Sequence, residues 1–331
     1  MKTDIAVAGV ITLITLLALG VFLTTGSEEY SRNNYGWNGT SEFFALTDHR
    51  HTHDIADVSA LSAHNDSLLL IIAPVDPYTG PEAALIREYV MAGNTLLIAD
   101  EGGAGNAILE GIGSSMRIQP GLLGSIDRAY NDTYVAVTTP DSDHPLVRNI
   151  TSLVMDRSLT ISGGEPLLRS GIMGWIDTDG NHRISSDESF GRRVVMAREE
   201  MGGEVILLAD ASIFINSMLD VGDEWGNREL VRRLVAYRPT LLVEQLVSMT
   251  AVPEGPGRLV HHLRNSPDLQ VILILLMLTL PAWILLRQPA FLKSRDEMSE
   301  EDAESPPACT GQERPGNDSA RQTRDDPGGR R

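Results

Sequence analysis

A twelve-residue stretch, Asp177–Glu188, carries oxygen-bearing side chains at the spacing of a calcium-binding loop. Ca²⁺ is a hard cation that prefers oxygen ligands, which such loops supply from alternate side chains, one backbone carbonyl and a closing glutamate. The predicted ligands are Asp177, Asp179, Asn181, Arg183 through its carbonyl, Ser185 and Glu188. His182 stands where the loop prefers glycine, and a strand-like segment precedes it, so a helix–loop–helix is not expected. The alternative is a solvated hairpin turn, which the same residue types favour.

Acidic residues also follow two strand-like apolar runs. Asp100 and Glu101 follow the run 95–99, and Asp210 follows the run 204–209. In open α/β sheets, ligands bind beyond the carboxyl ends of the strands, so we expect a shared crevice there. The predicted crevice residues are Asp100, Glu101, Asn106, Asp210 and Asn216. The alternative is that Asp100 and Asp210 cap the helices that follow them.

A histidine-rich stretch, Asp48–Asp54, alternates imidazoles with other residues. Alternate imidazoles can bind a transition metal. The stretch has no second ligand cluster nearby in the sequence, so a plain surface segment is the favoured interpretation.

Other chemistry is poorly represented. The glycine-rich turn 102–105 has neither the spacing nor the lysine of a phosphate-binding loop, and no Gly-x-Ser-x-Gly elbow is present. The single cysteine, Cys309, lies in a polar stretch near the C-terminus, which excludes an intrachain disulfide and a cysteine-held metal. With 27 basic against 45 acidic residues, the net charge of −18 argues against nucleic acid binding.

The elements that must position these residues alternate between strand-like and helix-like patterns over residues 28–240. Continuous apolar runs at 67–73 and 95–99 are typical of strands buried on both faces, and residues 81–92 have helical spacing. Strands that alternate with helices favour parallel pairing. The sequence therefore predicts an α/β fold, a mostly parallel sheet flanked by helices, of flavodoxin-like type.

Two long apolar runs frame this domain. Residues 5–25 carry no charge, and residues 269–286 carry one strongly polar side chain, so each is predicted to be a transmembrane helix. A cleaved signal peptide is the alternative for the first run. Residues 241–268 are interpreted as a juxtamembrane linker, and the polar residues 287–331 as a disordered tail.

Orientation follows from the flanking charges and from four Asn-x-Ser/Thr sequons between the two runs. The sequons begin at Asn38, Asn65, Asn131 and Asn149. Both termini are predicted to be cytoplasmic, with the acidic domain outside the cell membrane.

Three segments resemble a known family. Tyr35–Ser41, Tyr89–Asp100 and Ala209–Leu219 are similar to the motifs of the membrane-anchored domain of unknown function family 4350. The resemblance implies a class I glutamine amidotransferase-like fold, related to auxiliary domains of GldG-type ABC systems. It also implies partners among MoxR-type AAA ATPases and von Willebrand-A-like proteins. A glutaminase of this fold needs a cysteine at the strand-to-helix elbow, where this chain has Glu101 and Gly102 after Asp100.

Together these observations predict a non-catalytic ligand-binding or partner-binding subunit of a membrane or envelope complex. One alternative is a hydrolase that acts on envelope sugar or peptide through the acidic crevice. The other is an auxiliary subunit of an ABC-type transporter.

Overall fold

The computed structural model describes residues 28–48, 50–126 and 132–251, together with Gly9, Thr12–Ile14, Leu16 and Leu275. The chain divides into two units, Met1–Ile274 and Leu275–Arg331. Every element named below belongs to the first unit. The predicted tail 287–331 lies outside the described residues, as does the sequon asparagine Asn131.

Within the described residues the chain forms short helices and many strands. The helices are α1 (Ser41–Leu46), α2 (Gly80–Met91), α3 (Gly105–Ile112), α4 (Asn216–Leu219) and α5 (Asn227–Val235), with 3₁₀ turns at Val58–Ala63 and Ala211–Phe214. The strands are β1 (Thr52–Ile55), β2 (Ser67–Ile72), β3 (Thr95–Ala99), β4 (Arg117–Gln119), β5 (Leu122–Ser125), β6 (Val135–Pro140), β7 (Leu153–Asp156), β8 (Thr160–Ser162), β9 (Glu165–Ser170), β10 (Gly174–Asp177), β11 (Val194–Met201), β12 (Gly203–Leu208) and β13 (Thr240–Glu244).

Nine of these strands form one sheet in the order β1-β13-β2-β3-β12-β11-β9-β6-β7. The first five strands pair in parallel. From β12 onward, through β11, β9, β6 and β7, every pairing is antiparallel. Two small ribbons, β5 with β10 and β4 with β8, accompany the sheet.

The parallel half is built from strands whose residues are buried on both faces. Leu69 and Ile71 of β2 point into one hydrophobic core, with Ile86 of α2 and Ile108 of α3. The intervening residues of β2 point into a second core on the opposite face, with residues of α1, α4 and α5: Leu68, Leu70, Ile72, Phe43, Leu219 and Leu230. Successive side chains of a strand face opposite sides, which explains why these runs are apolar without alternation.

The prediction of a mostly parallel sheet is wrong, because four of the eight pairings in the large sheet are antiparallel. The reason lies in the connections. Parallel strands need a long crossover, whereas strands joined by tight turns pair antiparallel. β11 and β12 are joined through Gly202, whose φ of 81° suits a hairpin turn. No helix separates strands in the described residues between Arg117 and Leu208.

The predicted membrane helices are also corrected. No helix among the described residues combines the length and the apolar character that a membrane crossing requires. This finding contradicts the two predicted spans, and with them the predicted membrane localisation with cytoplasmic termini. Nearly all of residues 5–25, and all of residues 269–286 except Leu275, lie outside the described part of the chain.

Four of the five residues of β13 lie in the segment 241–268 that the sequence analysis predicts to be a linker. Its five residues, Thr240–Glu244, pair with β1 on one side and with β2 on the other. Leu241, Leu242 and Val243 are buried in the sheet. The apolar run is too short to be recognised as a strand from the sequence alone. It is a strand because it pairs with β1 and β2, which lie far away in the chain.

Candidate functional site

Acidic side chains gather at the carboxyl edge of the parallel strands, as the sequence predicted for Asp100 and Asp210. Asp100 follows β3 and Asp210 follows β12, its direct neighbour in the sheet. Asp156, the last residue of β7, joins them although β7 lies at the far end of the sheet, since its backbone N–H donates to Asp210 Oδ2 at 2.8 Å. The edge therefore holds acids from three separate strands.

Asp100 caps the turn that follows it. Its two carboxylate oxygens accept hydrogen bonds from the backbone N–H groups of Gly103 and Gly105, each at 2.8 Å. A Cβ on Gly103 would lie 3.0 Å from one of these oxygens, and a Cβ on Gly105 only 2.4 Å from the other. The glycines are thus needed so that the backbone can close around Asp100. Its carboxylate fills the place where an anion would otherwise meet the start of α3.

The two predicted amides are also engaged with the backbone. Asn106 accepts from the N–H of Ile118 at 2.7 Å and donates to its carbonyl at 2.9 Å. Asn216 donates to the carbonyls of Asn34 at 3.1 Å and Gly36 at 2.7 Å, and accepts from the N–H of Glu42 at 2.9 Å. Both side chains hold neighbouring segments in place.

Asp210 and Glu101 share an unusual electrostatic environment. Asp210 is fully buried, and desolvation is the main reason that its pKa rises to about 8. Glu101 is exposed at the surface, and its carboxylate accepts from the Tyr30 hydroxyl at 2.9 Å. Desolvation by the surrounding protein, together with nearby acids, raises the pKa of Glu101 as well. At neutral pH Asp210 is therefore mostly a neutral acid.

Sequence reasoning missed three residues of this edge. The Tyr30 hydroxyl donates to Glu101, which is 71 positions away in the chain, and the Ser212 hydroxyl donates to Asp210. Asp156 contributes its backbone N–H and a carboxyl group whose pKa is raised by burial. Asp156 could have been predicted from the sequence, since it too follows an apolar run, at 153–155. Tyr30 could not have been predicted, because only folding of the chain brings it close to the end of β3.

The loop from Tyr30 to Thr40 lies over this edge and displays two aromatic side chains. Tyr35 is 76% exposed and Trp37 is 68% exposed. The loop is nevertheless well fixed: besides the Asn216 contacts, the Trp37 carbonyl accepts from the N–H of Ser217 at 3.0 Å. A fixed loop that exposes two large aromatic residues has the features of an interface anchor.

The predicted calcium loop brings its acids together. Carboxylate oxygens of Asp177, Asp179 and Glu188 all lie within 4.8 Å of one another. Ser185 bridges two of them, since its hydroxyl donates to Asp179 at 3.2 Å and its backbone N–H donates to Glu188 at 2.9 Å. Asn181 directs its amide nitrogen to Asp179, at 2.7 Å. These oxygens suit a hard divalent cation.

His182 adopts the usual backbone conformation of this loop position although it is not a glycine. His182 adopts a φ of 59°, the left-handed conformation for which glycine is preferred at that position. Its ring Nδ1 lies 2.8 Å from the Tyr134 hydroxyl, which itself donates to Asp177. The hydrogen bond from Tyr134 is the largest cause of a lowered pKa at Asp177, which favours the ionised carboxylate that a cation needs.

The fold and these two sites define a mixed-sheet protein with helices on both faces of its parallel half, an acidic carboxyl edge and an oxygen-rich loop. The chain belongs to the family described as Domain of unknown function (DUF4350), whose model matches residues 32–235. No curated protein matches the chain.

Several solved structures are similar to part of the chain. The mmIFT52 N-terminal domain is 16% identical with a TM-score of 0.42, covering 56% of this chain and 82% of its own. A putative thua-like protein from Bacteroides uniformis ATCC 8492 is 13% identical with a TM-score of 0.32, covering 61% and 75%. The β-galactosidase from Bacillus circulans sp. alkalophilus is 13% identical with a TM-score of 0.30, covering 50% and 23%. Similarities this weak carry no functional argument.

Proposed function

We propose that this chain is a non-catalytic binding subunit, whose partner docks on the loop Tyr30–Thr40 at the carboxyl edge of the sheet. One contrast carries the proposal. The polar groups of Asp100, Asn106 and Asn216 bond the protein's own backbone. In contrast, the side chains of Tyr35 and Trp37 are exposed on a loop whose backbone is hydrogen-bonded to Asn216 and Ser217. Large, rigid aromatic side chains supply contact area at low entropic cost, which suits recognition better than acid–base chemistry.

The family resemblance supplies the class of partner. We propose MoxR-type ATPases and von Willebrand-A-like proteins as candidates, and a class I glutamine amidotransferase-like ancestry for the parallel half of the sheet. Where a glutaminase would carry its cysteine after the strand, β3 is followed by Asp100 and Glu101. The proposed ancestry therefore does not imply a glutaminase reaction for this chain.

Removing both aromatic side chains should strongly weaken partner binding. We expect the double variant Tyr35→Ala/Trp37→Ala to capture a co-expressed MoxR-type ATPase and von Willebrand-A-like protein at least tenfold less than the wild-type full-length chain. Both side chains are exposed, so the melting temperature should be unchanged. Met91→Ala is the matched control, because Met91 is a large apolar residue, 54% exposed, at the end of α2. Equal capture by the double variant would contradict the proposed docking loop.

The acidic pair favours a second candidate, a hydrolase acting on envelope sugar or peptide. A buried, neutral Asp210 close to a second carboxyl group, that of Glu101, is an arrangement that general acid–base chemistry uses. Turnover of purified envelope polysaccharide or peptide by the wild-type chain, lost in Glu101→Gln, would establish this candidate and refute the non-catalytic one. Absence of turnover in both proteins, with partner capture intact, would support the binding function.

We also propose that Ca²⁺ occupies the loop Asp177–Glu188. The support is the convergence of three carboxylates at motif spacing, two of them on the largely buried residues Asp177 and Glu188. Their mutual repulsion is relieved when a divalent cation replaces the internal hydrogen bonds. The cation would join the end of β10 to the segment before β11.

Calcium should accordingly stabilise the folded chain. Lone loops of this kind bind Ca²⁺ at roughly 10⁻⁴–10⁻³ M, so 10 mM Ca²⁺ should raise the free energy of unfolding by roughly 1.4–2.7 kcal/mol. Thermal unfolding with and without Ca²⁺ measures this gain, which should vanish in Asp179→Ala and Glu188→Gln. Asp187→Ala, an exposed acid in the same loop, should keep it. A gain of the same size in all four proteins would show that Ca²⁺ acts elsewhere.

A further inference from the structure

Five of the eight histidines of the chain lie in the described residues, and three of them are engaged through a ring nitrogen. His51 Nδ1 lies 3.0 Å from Asp48. His144 Nε2 lies 3.1 Å from Glu204, and His182 Nδ1 contacts Tyr134. The other two are His53 and His64. Within the part of the chain that the structure describes, neither of their rings makes a hydrogen bond or an ion pair.

These two uncommitted imidazoles lie side by side. The ring centroids of His53 and His64 are 5.9 Å apart, with an angle of 36° between the ring planes. His53 belongs to β1, an edge strand, where it is exposed and in register with Leu242 of β13. His64 ends the 3₁₀ turn Val58–Ala63, and its backbone N–H donates to Leu61 at 3.0 Å. Both rings therefore project from well-defined backbone.

We propose that His53 and His64 form a binding site for a borderline divalent transition-metal ion such as Zn²⁺. Imidazole nitrogen is a preferred ligand of such ions, whereas Ca²⁺ takes oxygen. With Zn–N bonds of about 2.0–2.1 Å, two imidazoles on one tetrahedral ion have centroids about 5 Å apart. The observed centroid separation of 5.9 Å is about 1 Å longer, so binding requires the two rings to rotate toward each other.

The structure thus supplies the ligand that the histidine-rich stretch lacked. His64 lies outside Asp48–Asp54, and the turn after β1 brings it back to His53. His64 also lines a surface cleft of about 240 Å³, together with Asn65 and Glu88. The His64 side of the pair is therefore accessible to solvent. The net charge of −18 further favours binding of a cation.

Calorimetric titration of the full-length chain with Zn²⁺, in 10 mM Ca²⁺ so that the oxygen-rich loop is filled, tests the site. We expect His53→Ala and His64→Ala each to weaken Zn²⁺ binding at least tenfold. His51→Ala should stay within twofold of wild type, because His51 is turned to Asp48. All three positions are at least partly exposed, so unchanged melting temperatures should accompany the titrations.

Histidine side-chain NMR provides an independent readout. Addition of Zn²⁺ should shift the ring resonances of His53 and His64, and each single variant should abolish the shift of the remaining partner ring. Zn²⁺ affinities that are the same in His53→Ala, His64→Ala and the wild type would overturn the proposal. So would ring resonances of His53 and His64 that do not move when Zn²⁺ is added.

Discussion

Replacing Asp210 by asparagine should stabilise the chain, and increasingly so as the pH rises. In the folded state the pKa of Asp210 is about 8, against 3.8 for an unperturbed aspartate. Between these values the folded chain holds a proton that the unfolded chain has released, so each pH unit lowers the wild-type free energy of unfolding by about 1.4 kcal/mol. The loss reaches on the order of 4 kcal/mol at pH 7 and is absent below about pH 3.8, where both states are protonated.

Asparagine can reproduce the contacts of the neutral acid. Its carbonyl oxygen can accept from the N–H of Asp156, and its amide can donate to the hydroxyl of Ser212. Urea unfolding of the wild type and Asp210→Asn at each pH from 4 to 8 should therefore give free energies that are similar at pH 4 and separate steadily above it. A difference that does not depend on pH would show that Asp210 is ionised in the folded chain.

Asp100→Asn is the matched control at the same edge. Both oxygens of Asp100 accept hydrogen bonds from backbone N–H groups. In asparagine an NH₂ group replaces one oxygen, so it faces an N–H group that it cannot bond. We expect this substitution to lower the free energy of unfolding by about 1–2 kcal/mol. The two similar substitutions should thus change the free energy of unfolding in opposite directions at neutral pH. One aspartate is a buried neutral acid, whereas the other accepts two backbone N–H groups of the turn that leads into α3.

The second large effect is expected at Glu244, the last residue of β13. Its side chain is fully buried. Its two oxygens accept from the backbone N–H groups of Val247 and Ser248, each at 2.9 Å, from the N–H of Leu246 and from the Ser248 hydroxyl at 2.6 Å. Successive N–H groups around one carboxylate form an anion nest that the protein fills itself.

Glu244→Gln should therefore destabilise the chain by about 2–4 kcal/mol, because one acceptor becomes a donor and leaves buried N–H groups without a partner. Urea unfolding measures the loss, and hydrogen exchange should accelerate first at Leu246–Ser248. Glu88→Gln, an exposed charge on α2, should change the free energy of unfolding by less than about 0.5 kcal/mol. A loss below 1 kcal/mol for Glu244→Gln would mean that the nest contributes little to stability.

The parts of the fold that the sequence predicts well are those with strong local patterns. β2 and β3 follow from unbroken apolar runs, and α2 from the helical spacing of residues 81–92. The direction of β11 and β12 follows instead from the short connection through Gly202, because a connection that short permits only antiparallel pairing. Direction depends on the connection between strands, whereas the apolar pattern reports only burial.

The candidate sites divide in the same way. Acids at strand ends and the spacing of Asp177–Glu188 are local features, and the structure brings three of the loop carboxylates together. The partners of those residues come from distant segments. Three contacts form only when the chain has folded, so no local sequence pattern predicts them. They are Tyr30 with Glu101, Tyr134 with Asp177 and His64 with His53.

The position of β13 affects how the chain folds during synthesis. It is the last strand along the described chain, yet it lies inside the sheet, between β1 and β2. During synthesis β1 and β2 leave the ribosome long before the strand that separates them, so both expose open edges until Glu244 has emerged. A recombinant fragment that ends at Val235, after α5, would keep those edges permanently and lose the Glu244 nest. A fragment that keeps this nest must extend at least to Ser248, whose backbone N–H and hydroxyl both donate to Glu244.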